Sequence, residues 1–231
     1  SISTRTPGSE PGIETLAVAY KQLNARFDEE NGGFGNAPKF PTPHSLSFLL
    51  RYWNRIGDKK TLEMVKKTLD AMRSGGIYDH VGFGFHRYST DSSWLLPHFE
   101  KMLYDQALLS LVYLEAYQAD RTGVYAQTTR EIIEYVLRDM TSKQGGFYSA
   151  EDADSEGDEG KFYLWSLDEV CKVLSEEEAA LAIEHFNIRQ EGNYIDELSG
   201  KTNSRNILHT GDLPKRTDVK IEKIRQKRYD Q

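Results

Sequence analysis

The stretch GGIYDHVGFGFHRYSTDSSWLLPHFEKMLYDQALL, residues 75–109, decides how this chain can fold. It begins with a Gly-Gly doublet and an apolar residue, at the end of a segment whose apolar residues recur at helical spacing. The same pattern stands at Gly32-Gly33-Phe34 and at Gly145-Gly146-Phe147. The first two doublets lie 43 residues apart, and a helix pair with its loops occupies about 40 residues. We therefore expect repeated helical hairpins; the alternative is that the doublets only end helices.

Helices predicted on either side of these doublets make the chain mainly α-helical. Proline suits the first position of a helix, so a second helix begins at Pro43, and a third ends at Gly75. A fourth is predicted to begin near Pro97 and to run to about Ala119. Residues 1–11 read as a polar tail, and residues 12–231 as one α/α-hairpin domain. The remaining helices are expected at about 13–30, 125–140, 167–174 and 176–186, and after about Asp218.

Strand signals are confined to two short aromatic-rich runs, residues 146–149 and 161–165. Aromatic residues are enriched in β-strands, and these runs flank an acidic loop, so we predict a small β-hairpin near 146–165. Residues 187–213 are rich in Asn, Gly, Thr, Ser and Asp and read as irregular structure.

The composition is that of an ordinary globular protein, with 38% hydrophobic and 28% charged residues and a net charge of −7. The basic residues are dispersed, which argues against nucleic acid as the main partner. No apolar run approaches the roughly 20 residues that span a bilayer, and the N-terminus lacks the apolar stretch of a signal peptide. The single cysteine, Cys171, sits in a helical pattern, so we expect a buried structural thiol and a cytoplasmic protein.

The long loop between the third and fourth helices concentrates polar and aromatic side chains. Loops longer than about 12–15 residues are uncommon in compact domains and are often functional. Aromatic rings stack on the apolar faces of sugars and carboxylates bind sugar hydroxyls, so this mixture suits a sugar. The alternative is a loop that covers a helix end and satisfies its own polar groups. The residues concerned are Tyr78, Asp79, His80, His86, Arg87, Tyr88, Asp91 and Trp94.

The start of the predicted fourth helix continues this polar region. At about 100° per residue, His98, Lys101 and Asp105 share one stripe of that helix. The helix is apolar on most other sides, which is typical of a buried helix, and buried charges are costly unless they are paired. The stripe therefore predicts the polar rim of a cavity, or alternatively a structural His–Asp–Lys network. Glu100 points away from the stripe and could cap the helix N-terminus.

The acidic loop at residues 151–160 resembles the start of a calcium-binding loop. Asp152, Asp154 and Glu156 take positions 1, 3 and 5, but position 12 is Tyr163 rather than glutamate. A solvated acidic turn, or carboxylates that face a cavity, fits better, and no metal is expected. The sequence has no P-loop, GxGxxG, HExxH, CxxC or GxSxG motif, so no cofactor is expected. Phosphoryl transfer, dinucleotide redox chemistry and hydrolysis by zinc or serine lose support.

Three stretches together resemble one family: GGFGNAPKFP (32–41), the stretch quoted first, and GGFYSAEDADSEGDEGKFYLW (145–165). They are similar to the uncharacterised proteins that include bacterial YyaL and the spermatogenesis-associated thioredoxin-like proteins, with NILH (206–209) ending the resemblance. The resemblance implies a thioredoxin-like domain followed by a six-hairpin α/α toroid, similar to that of N-acylglucosamine 2-epimerases and six-hairpin glycosidases. The chain lacks the thioredoxin-like domain with its cysteine pair and holds about half of the hairpins, so we expect a fragment of a larger toroid. Phe83 departs from the family pattern, which has glycine there.

The side chains and the resemblance suggest a carbohydrate-active domain, epimerase-like or glycosidase-like, in the intact protein. Epimerisation needs an acid and a base on opposite faces of a sugar carbon, and His86 and His98 are of the type that titrates nearest neutral pH. Glycoside hydrolysis needs two carboxylates. The carboxylate candidates are Asp79, Glu100, Asp105, Asp152 and Asp154, the last two also as sugar contacts. Further sugar or sugar-phosphate contacts are expected from Phe34, Lys39, Tyr88, Trp94 and Lys101.

Two other functions stay open. One is a non-enzymatic binding or scaffolding module that works with the thioredoxin-like domain. The other is terpenoid-type chemistry, which shares the toroid but lacks support because Asp152 and Asp154 sit in a turn. We expect the chain alone to be inactive, since half of the cavity wall is missing. Exposed hairpin faces tend to self-associate, so we also expect a homodimer or a domain-swapped assembly.

Overall fold

The structure, a computed structural model, describes residues 12–195, 202–211, 221 and 224. The predicted tail at residues 1–11 lies outside the described residues. The predicted helix after Asp218 does so too, apart from Ile221 and Ile224, which are helical and buried. None of the helices in the described residues combines the length and the apolar character that a membrane crossing requires.

The described part of the chain is built mainly from helices: α1 (Ile13–Arg26), α2 (Pro43–Ile56), α3 (Lys59–Ser74), α4 (Leu103–Asp120), α5 (Gly123–Arg138), α6 (Leu167–Val173) and α7 (Glu176–His185). Links of two residues, 57–58 and 121–122, join α2 to α3 and α4 to α5. Such short links make antiparallel helix pairs. Helices α2 and α4 also pack against each other, so the two hairpins lie side by side. This arrangement confirms the predicted α/α-hairpin architecture.

Three long loops connect α1 to α2, α3 to α4 and α5 to α6: loop 1 (27–42), loop 2 (75–102) and loop 3 (139–166). The Gly-Gly doublets lie near the start of each loop, as the sequence predicts. An isolated bridge between Lys39 and Ser89 joins loop 1 to loop 2, and pairing of Lys101 with Glu151 joins loop 2 to loop 3. The three loops therefore meet at one end of the helices, which we call the loop face.

Short antiparallel strand pairs hold the loops together. The strands are β1 (Tyr88–Ser89), β2 (Pro97–His98), β3 (Lys101–Met102), β4 (Ala150–Glu151), β5 (Asp154–Ser155), β6 (Asp158–Glu159), β7 (Trp165–Ser166) and β8 (Arg205–Asn206). The pairs are β1 with β2, β3 with β4, β5 with β6, and β7 with β8. The hairpin expected near 146–165 is present as β5 and β6, but the aromatic runs 146–149 and 161–165 do not pair with each other.

The predicted start of the fourth helix is wrong. Helix α4 begins at Leu103 rather than near Pro97, because residues 97–102 form an extended segment that contains β2 and β3. Strand β2 pairs with the nearby β1, and β3 pairs with β4, which is distant in sequence. This pairing satisfies backbone groups that a helix would otherwise satisfy within itself.

The main core lies between α2, α3, α4, α5 and loop 2, and a smaller cluster surrounds α6 and α7. Helix α4 is not buried on all sides, since Tyr104, Leu108 and Leu111 are between 42% and 56% exposed. The prediction of a buried thiol is also wrong, because Cys171 is exposed on the short helix α6.

Candidate functional site

The extended segment 97–102 decides where the polar side chains before α4 go. Successive side chains of an extended chain point to opposite faces, so neighbouring residues enter different surroundings. Lys101 is buried and pairs with Asp79, whereas His98 and Glu100 remain partly exposed and approach each other. The single stripe predicted from helical spacing for His98, Lys101 and Asp105 is therefore wrong, because two of these residues precede the helix.

Four partly exposed polar residues and the buried Asp105 lie on the other side of this segment from Lys101, and we call them the His98 cluster: Arg87, His98, Glu100, Asp105 and Glu159. Arg87 Nη1 donates to Glu100 Oε2 at 2.7 Å. His98 Nε2 lies 3.7 Å from the same oxygen, and His98 Nδ1 lies 2.7 Å from Glu159 Oε1. Loop 2 supplies the first three residues, α4 the fourth and the β5–β6 hairpin the fifth. Three separate elements thus converge on one imidazole and one guanidinium.

Asp105 lies in the first turn of α4, and its side chain is buried. Burial of its carboxyl raises the pKa to about 7, helped by the negative charge of Glu100 and opposed by Arg87. A carboxyl group that titrates near neutral pH can both accept and return a proton under physiological conditions. Asp105 is therefore a group able to transfer protons, within electrostatic range of Arg87 and Glu100.

Aromatic rings border the His98 cluster. The Tyr88 ring stacks on the His98 ring with centroids 5.1 Å apart, and Phe40 packs against Tyr88 with centroids 4.8 Å apart. Phe40 and Tyr104 are each about half exposed. Exposed rings beside carboxylates and a guanidinium are the surroundings in which a sugar ring can stack while its hydroxyls are bound.

On the opposite side of segment 97–102 lies a second polar group, which we call the Lys101 cavity. It is a cavity of about 510 Å³ whose polar walls include Asp79, Lys101, Tyr135, Glu151 and Tyr163. Lys101 Nζ donates to Asp79 Oδ2 at 2.8 Å and to the Phe83 carbonyl at 2.9 Å. Both side chains of the ion pair are almost completely buried. The pair is therefore a fixed part of the wall.

Phe83 lies in the turn that presents its carbonyl to Lys101. Its φ of 69° is in the left-handed region, which costs least for glycine. A glycine at this position would adopt the same conformation without strain.

Two tyrosines hold Glu151 in the Lys101 cavity. Tyr135 Oη donates to Glu151 Oε2 at 2.6 Å, and Tyr163 Oη donates to Glu151 Oε1. The same two rings lie 4.4 and 4.8 Å from Lys101 Nζ, a cation–π arrangement. The carboxylate and the ammonium group are thus separated by aromatic walls rather than paired directly.

His86 lies deeper than the other predicted catalytic residues. It is 2% exposed, its Nδ1 is 3.0 Å from the Phe99 carbonyl, and its ring packs edge-on against Tyr163. Burial, with the nearby Lys101 charge, lowers its pKa to about 3. The imidazole is neutral at physiological pH and lines a narrow internal gap rather than either of the two polar regions.

Three of the predicted sugar contacts sit in a junction between loops 1 and 2. Lys39 Nζ binds Asp28, the Gly32 carbonyl and the Ser92 carbonyl. Trp94 is fully buried and donates from Nε1 to the Asn31 carbonyl at 3.0 Å, and Phe34 packs on Phe27. These contacts lie outside the Lys101 cavity and join the loops to one another.

The carboxylates of Asp152 and Asp154 are on the surface of loop 3. Both residues are exposed, and the Asp152 carboxylate accepts a hydrogen bond from the Asp154 amide at 3.1 Å. The part of the chain that the structure describes contains no group of three His, Cys, Asp or Glu side chains arranged to hold a metal ion.

Residues that the sequence does not single out complete both regions. Glu159 reaches His98 from the acidic hairpin, and Tyr135, Glu151 and Tyr163 build the Lys101 cavity. Glu151 follows the third Gly-Gly doublet closely in sequence, and this position could have marked it as a candidate site residue. Tyr135 carries none, because it reads as an ordinary apolar position of α5.

No protein-family model matches the chain. Curated relatives do: spermatogenesis-associated protein 20 of Rattus norvegicus is 42% identical over 224 residues, which cover 87% of this chain and 28% of that protein. The human protein of the same name is 42% identical over 210 residues, and an uncharacterized protein of Caenorhabditis elegans, B0495.5, is 34% identical over 216 residues. The chain belongs to the spermatogenesis-associated protein 20 family. It spans about 28% of the length of the rat relative, and the family resemblance read from the sequence is confirmed.

Solved structures give the fold. Cellobiose 2-epimerase from Bacillus thermoamylovorans matches 60% of this chain and 40% of its own with a TM-score of 0.53 at 13% identity. The corresponding enzyme of Spirochaeta thermophila has a TM-score of 0.52, and a sugar epimerase from a ruminal bacterium has 0.51 over 67% of this chain and 46% of its own. This chain thus shares the α/α-toroid fold over the matched part. At such low identity the likeness concerns the fold alone.

Proposed function

We propose that this chain forms part of a carbohydrate-active toroid that interconverts sugar isomers by proton transfer, with the His98 cluster as its reacting centre. The observation that carries the proposal is the convergence of Arg87, His98, Glu100 and Asp105 beside exposed aromatic rings on the loop face. The sugar epimerases among the similar folds support the substrate class.

The chemistry requires two proton carriers and one cation. A base removes the proton from the carbon next to the sugar carbonyl, and the electron pair moves onto the carbonyl oxygen. An acid on the other face returns a proton to that carbon, which regenerates the carbonyl and inverts the centre. Asp105 and His98 supply the two proton carriers, and the guanidinium of Arg87 stabilises the oxyanion between the two steps. Stacking on Tyr88 and Phe40 holds the ring.

The rest of the toroid belongs to the proposal as well. The chain spans about 28% of the rat relative and matches 40% of an epimerase chain, so further walls of the site come from other segments of the intact protein. The acid and base assignment, the sugar or sugar-phosphate substrate and cooperation with a thioredoxin-like domain are therefore proposed for the intact protein.

Hydrogen exchange tests this function over many sugars in parallel. The full-length protein is incubated in D₂O with a panel of reducing sugars and sugar phosphates, and deuterium at the carbon next to the carbonyl is measured by NMR. We expect exchange with at least one sugar, and a loss of about 100-fold or more in Asp105→Asn or His98→Gln, since general acid–base groups contribute about 10²–10⁴-fold. Asp152→Asn, on the exposed acidic loop, is the matched control and keeps the full rate. Absence of exchange with every sugar would overturn the proposal.

A second candidate is a binding module that works with the thioredoxin-like domain. The observation in its favour is that Asp79 is held in a buried ion pair and His86 on a backbone carbonyl. Binding between this chain and the separate thioredoxin-like domain of the intact protein is measured by titration calorimetry. Binding without any sugar exchange favours the module, and exchange without binding excludes it.

Self-association of the chain is proposed from the exposed side of α4. Leu108, Leu111 and Leu114 are 42%, 56% and 40% exposed, and exposed apolar surfaces favour association. In light scattering, we expect the average molar mass to rise towards that of a dimer as the protein concentration increases. A mass that stays monomeric at the highest concentration reached contradicts it.

A further inference from the structure

The Lys101 cavity is a formed space that the proposed proton transfer does not use. Its walls come from loop 2, α5 and loop 3, and its volume of about 510 Å³ lies within the range of about 300–1,000 Å³ that holds small molecules. Two large rings, Tyr148 and Phe162, line it and are 55% and 59% exposed. The cavity therefore opens to the surface between two aromatic side chains.

The charges in the cavity argue against an anion as its ligand. Lys101 is paired with Asp79 at 2.8 Å, and Arg138 Nη2 donates to Asp139 at 2.6 Å. Glu151 adds a further negative charge to the wall. Each cation thus already has its carboxylate, and a phosphate or carboxylate ligand would meet a wall with an excess of negative charge.

The remaining hydrogen-bonding capacity of the cavity favours hydroxyl donors. The Glu151 carboxylate accepts one hydrogen bond on each oxygen, from Tyr135 and from Tyr163. An ionised carboxylate offers about four acceptor sites, so this group can still accept from a ligand. The tyrosines fix the carboxylate in place, which lowers the entropic cost of binding.

We propose that the Lys101 cavity is a second binding site, for a neutral sugar, whose ring stacks on Tyr148 and Phe162 and whose hydroxyls donate to Glu151. The site is separate from the His98 cluster, because the extended segment 97–102 lies between them: Lys101 serves one side and Glu100 the other. It takes no part in the proton transfer. A neutral monosaccharide, or the far end of a longer glycan, has the required ring face and hydroxyl groups.

The test uses the full-length protein and ligand-observed NMR titrations with neutral mono- and disaccharides and with the corresponding sugar phosphates. Neutral sugars are expected to bind, and Tyr148→Ala is expected to weaken binding about three- to tenfold, the usual contribution of one stacked ring. Glu151→Gln keeps the shape of the side chain and is expected to weaken binding about tenfold. Phe147→Ala is the matched control, since Phe147 is 55% exposed like its neighbour but does not line the cavity.

The outcomes separate this site from the proposed reaction. Binding that is weakened by Tyr148→Ala and Glu151→Gln but not by Phe147→Ala or Asp105→Asn supports the second site, whether or not deuterium exchange is observed. Equal effects of Tyr148→Ala and Phe147→Ala, binding of sugar phosphates alone, binding lost only in Asp105→Asn, or no binding of any neutral sugar would each overturn it.

Discussion

Replacement of Lys101 by methionine tests the buried ion pair that links the two ends of loop 2. Methionine keeps most of the length and the apolar stem of lysine, so the space stays filled, but the charge on Asp79 loses its partner. Removal of one member of a buried pair costs about 3–5 kcal/mol, because the other charge is left buried. Asp79 also accepts hydrogen bonds from the amides of Val81 and Gly82 at 2.9 and 2.8 Å. These bonds stabilise the remaining carboxylate, so we expect the lower end of the range, about 3 kcal/mol.

The measurement is urea unfolding of the 231-residue chain, followed by tryptophan fluorescence. Trp94 is fully buried in the junction of loops 1 and 2, so its emission reports on the loop face. Lys60→Met is the matched control: Lys60 pairs with Glu29 at 3.4 Å, but both side chains are more than half exposed. Exposed pairs contribute little, and we expect the control to change stability by less than about 1 kcal/mol.

A double variant decides whether the charge is the cause. In Lys101→Met with Asp79→Asn the orphaned charge is removed, so we expect recovery of about half or more of the lost stability. The reasoning would be refuted if the single Lys101→Met variant were as stable as the control. It would also be refuted if the stability losses of the two single variants simply added up in the double variant, because the ion pair would then not hold the loop.

Two further predictions concern single positions. Gly33→Ala is expected to destabilise the chain by about 2 kcal/mol more than Gly57→Ala in the same unfolding assay. Both glycines have φ near 80°, but a Cβ at Gly33 would lie 2.5 Å from the Trp94 ring, whereas Gly57 has open space; equal losses would contradict this. Asp105→Asn is expected to gain stability relative to the parent as pH rises from about 4 to about 7. The folded pKa of about 7 exceeds the ordinary value of 3.8, so the folded parent binds the extra proton and loses stability across that interval. A difference between the two proteins that does not change over this pH range would contradict it.

The helices follow from local patterns, and most of them were predictable. Pro43 begins α2 because proline suits a first helical turn, and Gly75 follows the end of α3, where a Cβ would lie 2.4 Å from the Trp94 carbonyl oxygen. The doublets mark the loops, since each of them lies in one. The sequence also places Asp79, His98, Lys101 and Asp105 in the region where loop 2 meets α4.

The division of these residues between two regions was not predictable. Residues 97–102 carry no breaker after Pro97, so they read as the first turn of a helix. They are extended because they pair with Tyr88–Ser89 on one side and with Ala150–Glu151 on the other. Ala150–Glu151 is distant in sequence, and single-sequence patterns do not reveal such a partner. Side chains return to the same face every 3.6 residues in a helix but every 2 residues in an extended chain. In the extended segment Lys101 therefore points away from His98.

This extended segment has a consequence for both proposed sites. The buried contacts of Lys101 fix the backbone at residues 97–102, and the same backbone carries His98 and Glu100 on its other side. A change at Lys101 should therefore disturb sugar binding in the cavity and proton transfer at the His98 cluster together. Changes at Tyr148 and at Asp105 are expected to affect one region each, because Tyr148 lines the cavity and the charges that act on Asp105 are those of Arg87 and Glu100. Two sites on opposite sides of one extended segment require a particular pattern. Lys101→Met loses both sugar binding and proton transfer, Tyr148→Ala loses only sugar binding in the cavity, and Asp105→Asn loses only proton transfer.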